Sequence, residues 1–168
     1  QFSAAKERTS ERLGLQLRLR REAAGLSIRE LARRVGMSPS LISQVERNLA
    51  TPSVGTLLSI SNELGLEIGD VFKFRNRADP AALGPVLRKK KKKKIQLASG
   101  VSWERLTSVP DPEVEFLYAV YDVGGTSCEE DSMLRHGGKE YGYLLSGRLG
   151  VKIGFEEYEL GPGDARND

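Results

Sequence analysis

The chain has 168 residues, 29% of them charged, and a formal net charge of +3 at pH 7. That length accommodates one or two small domains, each with its own core. The single cysteine, Cys128, excludes an internal disulfide and suits a reducing cytoplasm. No apolar run approaches the roughly 20 residues of a membrane span, and no signal peptide is visible, so we expect no membrane partner.

The charge is unevenly distributed along the chain. Residues 1–77 carry 13 basic and 8 acidic side chains, whereas residues 95–168 carry 6 basic and 14 acidic ones. A basic half joined to an acidic half indicates that only the first half approaches nucleic acid.

The N-terminal segment, residues 1–12, is polar and predicts a disordered tail. A first helix is predicted from Leu13 to Ala24, with Gly25 as its end. One face holds three apolar residues, Leu13, Leu17 and Ala24. The other side holds three arginines that would lie along a phosphate backbone, Arg18, Arg20 and Arg21.

Two short helices joined by a tight turn are predicted next. Ser27 followed by Glu30 forms a capping box, so the first of the two begins at Ile28. Gly36 ends it, because glycine adopts a left-handed conformation without steric penalty. Ser38 followed by Pro39 is a second start signal, with proline at the first helical position.

The second of these helices has an outer face suited to DNA. Its apolar residues point inward and are Leu41, Ile42 and Val45. The outer face holds Ser40, Ser43, Gln44 and Arg47. Glutamine pairs with adenine, serine bonds to base edges or phosphates, and arginine reaches phosphate or guanine. An ordinary solvated face is the alternative for a lone helix, and the paired capped helices favour DNA recognition.

Two more helices complete a compact helical domain over residues 13–73. Ser53 caps a fourth helix that ends at Gly65. Ile68 to Phe72 form a short fifth helix that closes the core.

Leu26 to Phe72 resembles the five-helix, lambda-repressor-like domain of the XRE helix-turn-helix transcription regulators. The matching motifs are L-x-x-R-E-L-A-x-x-V-G-x-S, S-x-I-S-x-x-E-R and T-P-S-x-x-T-L. The resemblance implies that Glu46 braces the domain internally. It implies a DNA-binding surface made of Ser38, Pro39, Ser40, Ser43 and Gln44 at the major groove and Arg29, Arg47 and Asn48 at phosphates.

Residues 74–94 lack periodicity and end in six consecutive lysines, Lys89 to Lys94. They predict a linker whose like charges are solvated and repel one another. A non-specific DNA tether is the alternative interpretation of the lysine run.

From residue 95 the hydrophobic period changes to two, which predicts an all-β domain over residues 95–168. The expected strands are Val101 to Leu106, Glu113 to Val123, Glu140 to Leu145, Arg148 to Ile153 and Phe155 to Leu160. Short strands at this spacing are typical of a sandwich or small barrel. The whole chain is therefore expected to be an α+β protein of two domains.

Two further motifs make the second domain similar to cupin jelly rolls. They are H-G-G-K-E-x6-G from His136 to Gly147 and Y-E-L-G-P-G-D from Tyr158 to Asp164. The second motif stops short of its end, so we expect the jelly roll to be truncated here and the natural protein to be longer. The resemblance implies an effector pocket near His136, Glu140, Tyr118 and Tyr143.

The cupin motif lacks most of a metal site. His136 and Glu140 match two ligands of metal-binding cupins, but Leu134 replaces the first histidine and Cys128 replaces the opening glycine. Two ligands are too few for a closed or catalytic metal site. We therefore expect no metal and no cofactor.

The sequence thus predicts a homodimeric transcription regulator and not an enzyme. It would bind a palindromic double-stranded DNA operator and sense a small-molecule effector, or dimerise, through the cupin domain. The resemblance implies a bacterial, cytoplasmic and nucleoid-associated protein. A cupin metalloenzyme fused to a DNA-binding module and a helix-turn-helix antitoxin are the alternatives. Stoichiometric metal would favour the enzyme, and a co-purifying toxin would favour the antitoxin.

Overall fold

The structure, a computed structural model, describes residues 2–72, 84–89, 92–108, 111, 113–128 and 138–167. Two compact units are present, Gln1–Leu134 and Arg135–Asp168. Within the described residues, the first unit holds five helices and three strands, and the second holds four strands. The fold is therefore helical in its N-terminal part and strand-rich in its C-terminal part, as the sequence predicts.

Helix α1 spans Phe2–Ala23, so the predicted disordered tail over residues 1–12 is wrong. Residues 2–12 contain no proline or glycine and include several strong helix formers, so nothing stops the helix at Leu13. The buried face also differs from the prediction, because Ala24 is exposed. The side chains buried on this face are Leu13, Gln16, Leu17 and Arg21.

Helices α2 (Ile28–Val35) and α3 (Pro39–Glu46) begin and end where the local sequence signals predict. The Ser27 hydroxyl accepts a hydrogen bond from the Glu30 amide at 3.1 Å. Gly36 closes α2 with a φ of 70°, in the left-handed region. The Ser38 hydroxyl accepts from the Leu41 amide at 3.1 Å, with Pro39 in the first turn. The tight turn between the two helices is therefore set by adjacent end and start signals.

Helices α4 (Val54–Glu63) and α5 (Ile68–Val71) complete the bundle. Ser53 caps α4 by accepting from the Thr56 amide at 3.1 Å. The bundle encloses an apolar core whose most buried members include Leu17, Leu31, Ile42, Leu57 and Ile60.

A three-stranded antiparallel sheet packs against this helical core. Its strands are β1 (Lys93–Leu97), β2 (Val101–Arg105) and β3 (Leu117–Tyr121), in that order. Ile95 pairs with Trp103 and Leu97 with Val101, which places all four on one face. These four side chains are buried in the same cluster as the helical core. The predicted domain boundary at residue 95 is therefore wrong, because the first compact unit continues through this sheet.

The end of the lysine run belongs to the sheet and its contacts. Lys93 and Lys94 lie in β1, and the Lys93 ammonium donates to the Phe72 carbonyl oxygen at 2.9 Å. The Lys92 ammonium lies 3.0 Å from a Glu104 carboxylate oxygen. The prediction of a wholly solvated run is therefore wrong for Lys92 and Lys93, whereas Lys94 is exposed. Of the predicted linker, residues 74–83 and 90–91 lie outside the described part.

The second unit is built from two strand pairs. Strand β4 (Tyr141–Tyr143) pairs with β7 (Ala165–Asn167), and β5 (Leu149–Ile153) pairs with β6 (Glu156–Leu160). The sequence predicts β4, β5 and β6, but β7 and β1 were not foreseen. No side chain among residues 138–167 is buried. The cupin jelly roll itself stays a prediction, because the described strands form two separate pairs in this unit.

Replacing Ile95 with alanine will destabilise the helices as well as the sheet. Ile95 is 4% exposed within the shared core, so we expect the substitution to lower the free energy of unfolding by about 2–5 kcal/mol. Thermal and denaturant unfolding followed by the far-UV helical signal will measure this loss. Val120→Ala, on the exposed face of β3, is the control and should change little. An unchanged helical transition in Ile95→Ala would contradict the shared core.

Candidate nucleic-acid interface

Helix α3 presents a polar outer face and buries its apolar one. Ile42 and Val45 are 1% and 2% exposed, respectively, so they fix the rotation of the helix. The exposed residues on the other side are Pro39, Ser40, Gln44 and Arg47, with Ser43 half-buried. The Gln44 amide lies 3.4 Å from the Ser40 hydroxyl, a long contact that leaves the amide available to another partner.

The C-terminal end of α3 is joined to α1 by a buried ion pair. The Arg21 guanidinium donates two hydrogen bonds to the Glu46 carboxylate, at 2.6 Å and 2.9 Å. A third donor of the same guanidinium reaches the Leu26 carbonyl at 2.7 Å. The hydrogen bond to Glu46 raises the pKa of Arg21. Because both side chains are less than a tenth exposed, the pair sets the position of α3 relative to α1.

Asn48 forms a second link between the same two helices. Its side-chain oxygen accepts a hydrogen bond from the Gly14 amide at 3.0 Å, and its backbone is left-handed with a φ of 58°. A β-carbon at Gly14 would lie 2.6 Å from the Glu46 carbonyl oxygen, so α1 approaches the end of α3 closely. The side-chain oxygen of Asn48 is therefore occupied, and an Asn48 contact to phosphate would have to come from its side-chain NH2 group, because only a donor can bind a phosphate oxygen.

The arginines around α3 divide into paired and unpaired groups. Glu30 binds both Arg33 and Arg34, with nearest distances of 2.7 Å and 2.9 Å, and Arg34 also reaches Glu63. The hydrogen bonds that Arg33 and Arg34 donate to Glu30 lower the pKa of Glu30 to about 2, and the bond from Arg33 has the larger effect. Within the described part of the chain, no carboxylate pairs with Arg29 or Arg47. The Arg47 Nε donates to the Ser43 carbonyl oxygen at 3.2 Å, so Arg29 and Arg47 both keep a positive charge that no carboxylate among the described residues neutralises.

Sequence reasoning placed the polar face of α3 outside and Glu46 inside as a brace, but it missed that Arg21 is the partner of Glu46. Arg21, predicted on the phosphate-facing side of α1, is instead 7% exposed and paired internally. Arg18 pairs with Glu22 at the surface at 2.8 Å. The spacing of four residues from Leu13 through Leu17 to Arg21 was a signal that Arg21 lies on the buried face.

The residues of the predicted effector pocket are distributed over both units of the structure. Tyr118 belongs to the first unit, whereas Glu140 and Tyr143 belong to the second, and His136 lies outside the described part. The Glu140 carboxylate pairs with the Arg166 guanidinium. The pocket therefore stays a prediction.

Two other kinds of site are absent from the described residues. They contain no group of three or more histidine, cysteine, aspartate or glutamate side chains placed to hold a metal ion. Within the same residues, no helix has the length and apolar character needed to cross a membrane.

The geometry of the two capped helices agrees with a comparison against known protein families. Residues 17–71 match the family model named HTH_3, described as helix-turn-helix. Residues 17–71 are a helix-turn-helix domain. The helix-turn-helix match runs from α1 into α5 and so includes the Arg21–Glu46 pair as well as the outer face of α3.

Two related proteins extend this finding. It is 27% identical over 147 residues to the HTH-type transcriptional regulator PuuR of Escherichia coli K12, covering 86% of this chain and 76% of PuuR. It is 44% identical over 59 residues to the uncharacterized HTH-type transcriptional regulator y4dL of Sinorhizobium fredii, covering 35% of this chain and 30% of y4dL.

One solved structure shares the fold along almost the whole chain. The crystal structure of an HTH_3 family transcriptional regulator from Vibrio cholerae has a TM-score of 0.58 and 18% identity. The likeness covers 97% of this chain and 85% of the Vibrio chain. At this identity the likeness establishes the fold alone.

Removing Glu46 will destabilise the bundle strongly. Glu46→Ala leaves the Arg21 charge buried without its carboxylate, so we expect a loss of about 3–5 kcal/mol in the free energy of unfolding. Denaturant titration will measure it. Arg18→Ala, which breaks the surface pair with Glu22 and leaves Arg21 and Glu46 in place, is the control and should leave the midpoint nearly unchanged. Equal losses in the two variants would show that the buried pair does not anchor α3.

The pairing of Glu30 with Arg33 and Arg34 predicts how the stability of the fold depends on pH. The folded-state pKa of Glu30 is lowered from 4.5 to about 2, so its contribution to stability is present above pH 4.5 and is lost as the pH falls towards 2. Carboxyl titration followed by NMR should show a midpoint near 2. In the double variant Arg33→Ala with Arg34→Ala the midpoint should return towards 4.5. A wild-type midpoint already near 4.5 would mean that the two ion pairs do not form in solution.

Proposed function

We infer that the chain is a DNA-binding transcriptional regulator whose α3 is the recognition helix. The observation that carries this inference is the helix-turn-helix domain over residues 17–71, with a polar and exposed outer face on α3. Similarity to a protein named as a transcriptional regulator over 86% of the chain supports the same function.

The contacts to DNA are proposed residue by residue. Ser38, Ser40, Ser43 and Gln44 read base edges in the major groove, and Pro39 lies at the start of the same surface. Arg29 and Arg47 contact phosphates, which is supported by their exposure and by the lack of a carboxylate partner among the described residues. Asn48 supports α3 through the side-chain oxygen that binds the Gly14 amide, and its side-chain NH2 group is proposed to donate to a phosphate.

The regulator is proposed to act as a homodimer on a palindromic operator. A single small helix-turn-helix domain offers too few contacts for tight specific binding, so two copies on two half-sites are needed. Two-fold symmetry of the protein then places the half-site centres about 34–36 Å apart, one turn of DNA.

The strand-rich part is proposed to sense a small molecule or to pair the subunits. A ligand changes DNA binding only if it binds the competent and incompetent arrangements with different affinity. We propose that the chain acts by binding and not by catalysis, as a bacterial protein of the cytoplasm and nucleoid. The names of the two related proteins above, both transcriptional regulators, support this proposal.

Gln44→Ala will weaken specific DNA binding. Loss of a bidentate contact to adenine should reduce the free energy of specific binding by about 1–3 kcal/mol and relax base preference at one position per half-site. Fluorescence anisotropy with the selected operator and its single-base variants will measure both effects. Gln96→Ala removes an exposed glutamine of the sheet and is the matched control. If both variants bind the operator like the wild type, α3 is not the recognition helix.

Selection from random duplex DNA tests the function as a whole. We expect the purified protein to enrich a palindromic sequence at two salt concentrations, with weaker binding at the higher salt. Binding that enriches no sequence and disappears at the higher salt would come from unspecific attraction of the basic side chains. That result would contradict the proposed regulator.

A further inference from the structure

We propose that the three-stranded sheet β1–β3 holds the recognition helix in its DNA-binding position. It does so through the loop that follows α3, residues 47–53, which we name the post-recognition loop. The DNA-binding module of this protein would then include the sheet and not the helices alone. The part of the proposal that concerns DNA affinity rests on the proposed function, whereas the mechanical part does not.

Two backbone hydrogen bonds join the sheet to the post-recognition loop and the start of α4. The Ala98 amide, in the turn between β1 and β2, donates to the Pro52 carbonyl oxygen at 2.9 Å. The Gly55 amide donates to the Ser127 carbonyl oxygen at 3.0 Å. Gly55 is the second residue of α4, where an amide has no partner inside its own helix, so the Ser127 carbonyl supplies the missing acceptor.

The other end of the post-recognition loop is bonded to the recognition helix. The Leu49 and Ala50 amides both donate to the Gln44 carbonyl oxygen, at 2.8 Å and 3.3 Å. Gln44 is also the side chain proposed to read adenine. The loop therefore links the residue that reads the base to the sheet through fewer than ten residues, with a hydrogen bond at each end.

Further backbone hydrogen bonds hold the segment after β3 against the turn between β1 and β2. The Asp122 amide donates to the Gly100 carbonyl at 2.8 Å, and the Thr126 amide donates to the Ser99 carbonyl at 3.1 Å. These bonds clamp the segment after β3, residues 122–127, onto the turn between β1 and β2. The clamp is tight, because a β-carbon at Gly125 would lie 2.9 Å from the Asp122 carbonyl oxygen and 3.0 Å from those of Ser99 and Gly100.

Buried side chains, as well as backbone hydrogen bonds, join the sheet to the post-recognition loop. Pro52 is buried, and the apolar face of β1 and β2 lies in the same core as the helices that carry the loop. A shift of the segment after β3 would therefore move the start of α4 and the post-recognition loop together. Since packed cores change arrangement as units, such a shift would reach Gln44.

Gly125→Ala in the full chain tests the mechanical part. The added methyl group cannot fit between three backbone oxygens, so the segment must move away from the turn. Hydrogen exchange followed by NMR should show amide exchange at least tenfold faster at Ala98, Gly55 and Leu49 than in the wild type. Gly150→Ala adds the same methyl group to a strand where nothing lies within 4 Å, and should leave these amides unchanged. Faster exchange at Ala98 and Gly55 with no change at Leu49 would overturn the proposal.

The affinity of the same two variants for the operator will test the part of the proposal that concerns DNA binding. We expect Gly125→Ala to bind the selected operator at least tenfold more weakly than Gly150→Ala, with equal binding to random duplex DNA at low salt. Equal operator affinity of the two variants would overturn the proposal. If the wild type selects no operator, the proposed function fails and the exchange measurement alone decides the mechanical part.

A second variant covers the case in which Gly125→Ala does not fold. Gly55→Pro removes the amide that donates to Ser127, at the second position of α4, where the helix itself has no acceptor for that amide. It should give the same faster exchange at Leu49 and the same loss of operator affinity. Wild-type values for both in a folded Gly55→Pro protein would overturn the proposal.

Discussion

The buried ion pair between Arg21 and Glu46 is the interaction on which the DNA-binding surface depends. Glu46 is the last residue of α3, and its carboxylate receives two donors of the guanidinium from α1. A charge that is buried without its partner is strongly unfavourable, so the pair tolerates one relative position of the two helices. The contact between Gly14 and Asn48 repeats this constraint two residues later. The buried contacts between α1 and the end of α3 therefore determine which side chains of α3 are exposed.

The shared core makes the helices and the first sheet one folding unit. Ile95, Leu97, Val101 and Trp103 contribute their side chains to the same cluster as the helical bundle. The Lys93 ammonium adds a polar contact at the C-terminal end of α5, where carbonyl oxygens favour a positive charge. Stability and DNA recognition therefore draw on residues that lie on both sides of the lysine run.

Local signals predicted the helices and most strands correctly, because each depends on a few neighbouring residues. Ser27, Ser38 and Ser53 cap helices in the structure as their sequence context predicts. Strands β1 and β7 were missed because lysines fill the first half of β1 and β7 has only three residues. The helical tail was missed because polarity was read as disorder, although residues 2–12 contain no helix breaker.

Contacts between distant residues explain why the site was only partly predicted. The outer face of α3 follows from the spacing of Ile42 and Val45, so Gln44 and Arg47 were assigned to an exposed face correctly. The roles of Arg21 and Asn48 depend on partners 25 and 34 residues away, which no local pattern specifies. The sheet that contacts the post-recognition loop depends on still longer separations.

The pairing of Glu30 with Arg33 and Arg34 has a consequence for the search along DNA. Each cation that already has a carboxylate partner displaces fewer counterions from a duplex, so it adds less to sequence-independent affinity. A regulator must find few operators among roughly a million or more competing genomic positions. In the proposed regulator, the pairing of the two exposed arginines beside α3 would therefore shorten each stay at a non-specific position and leave more copies unbound to reach the operator.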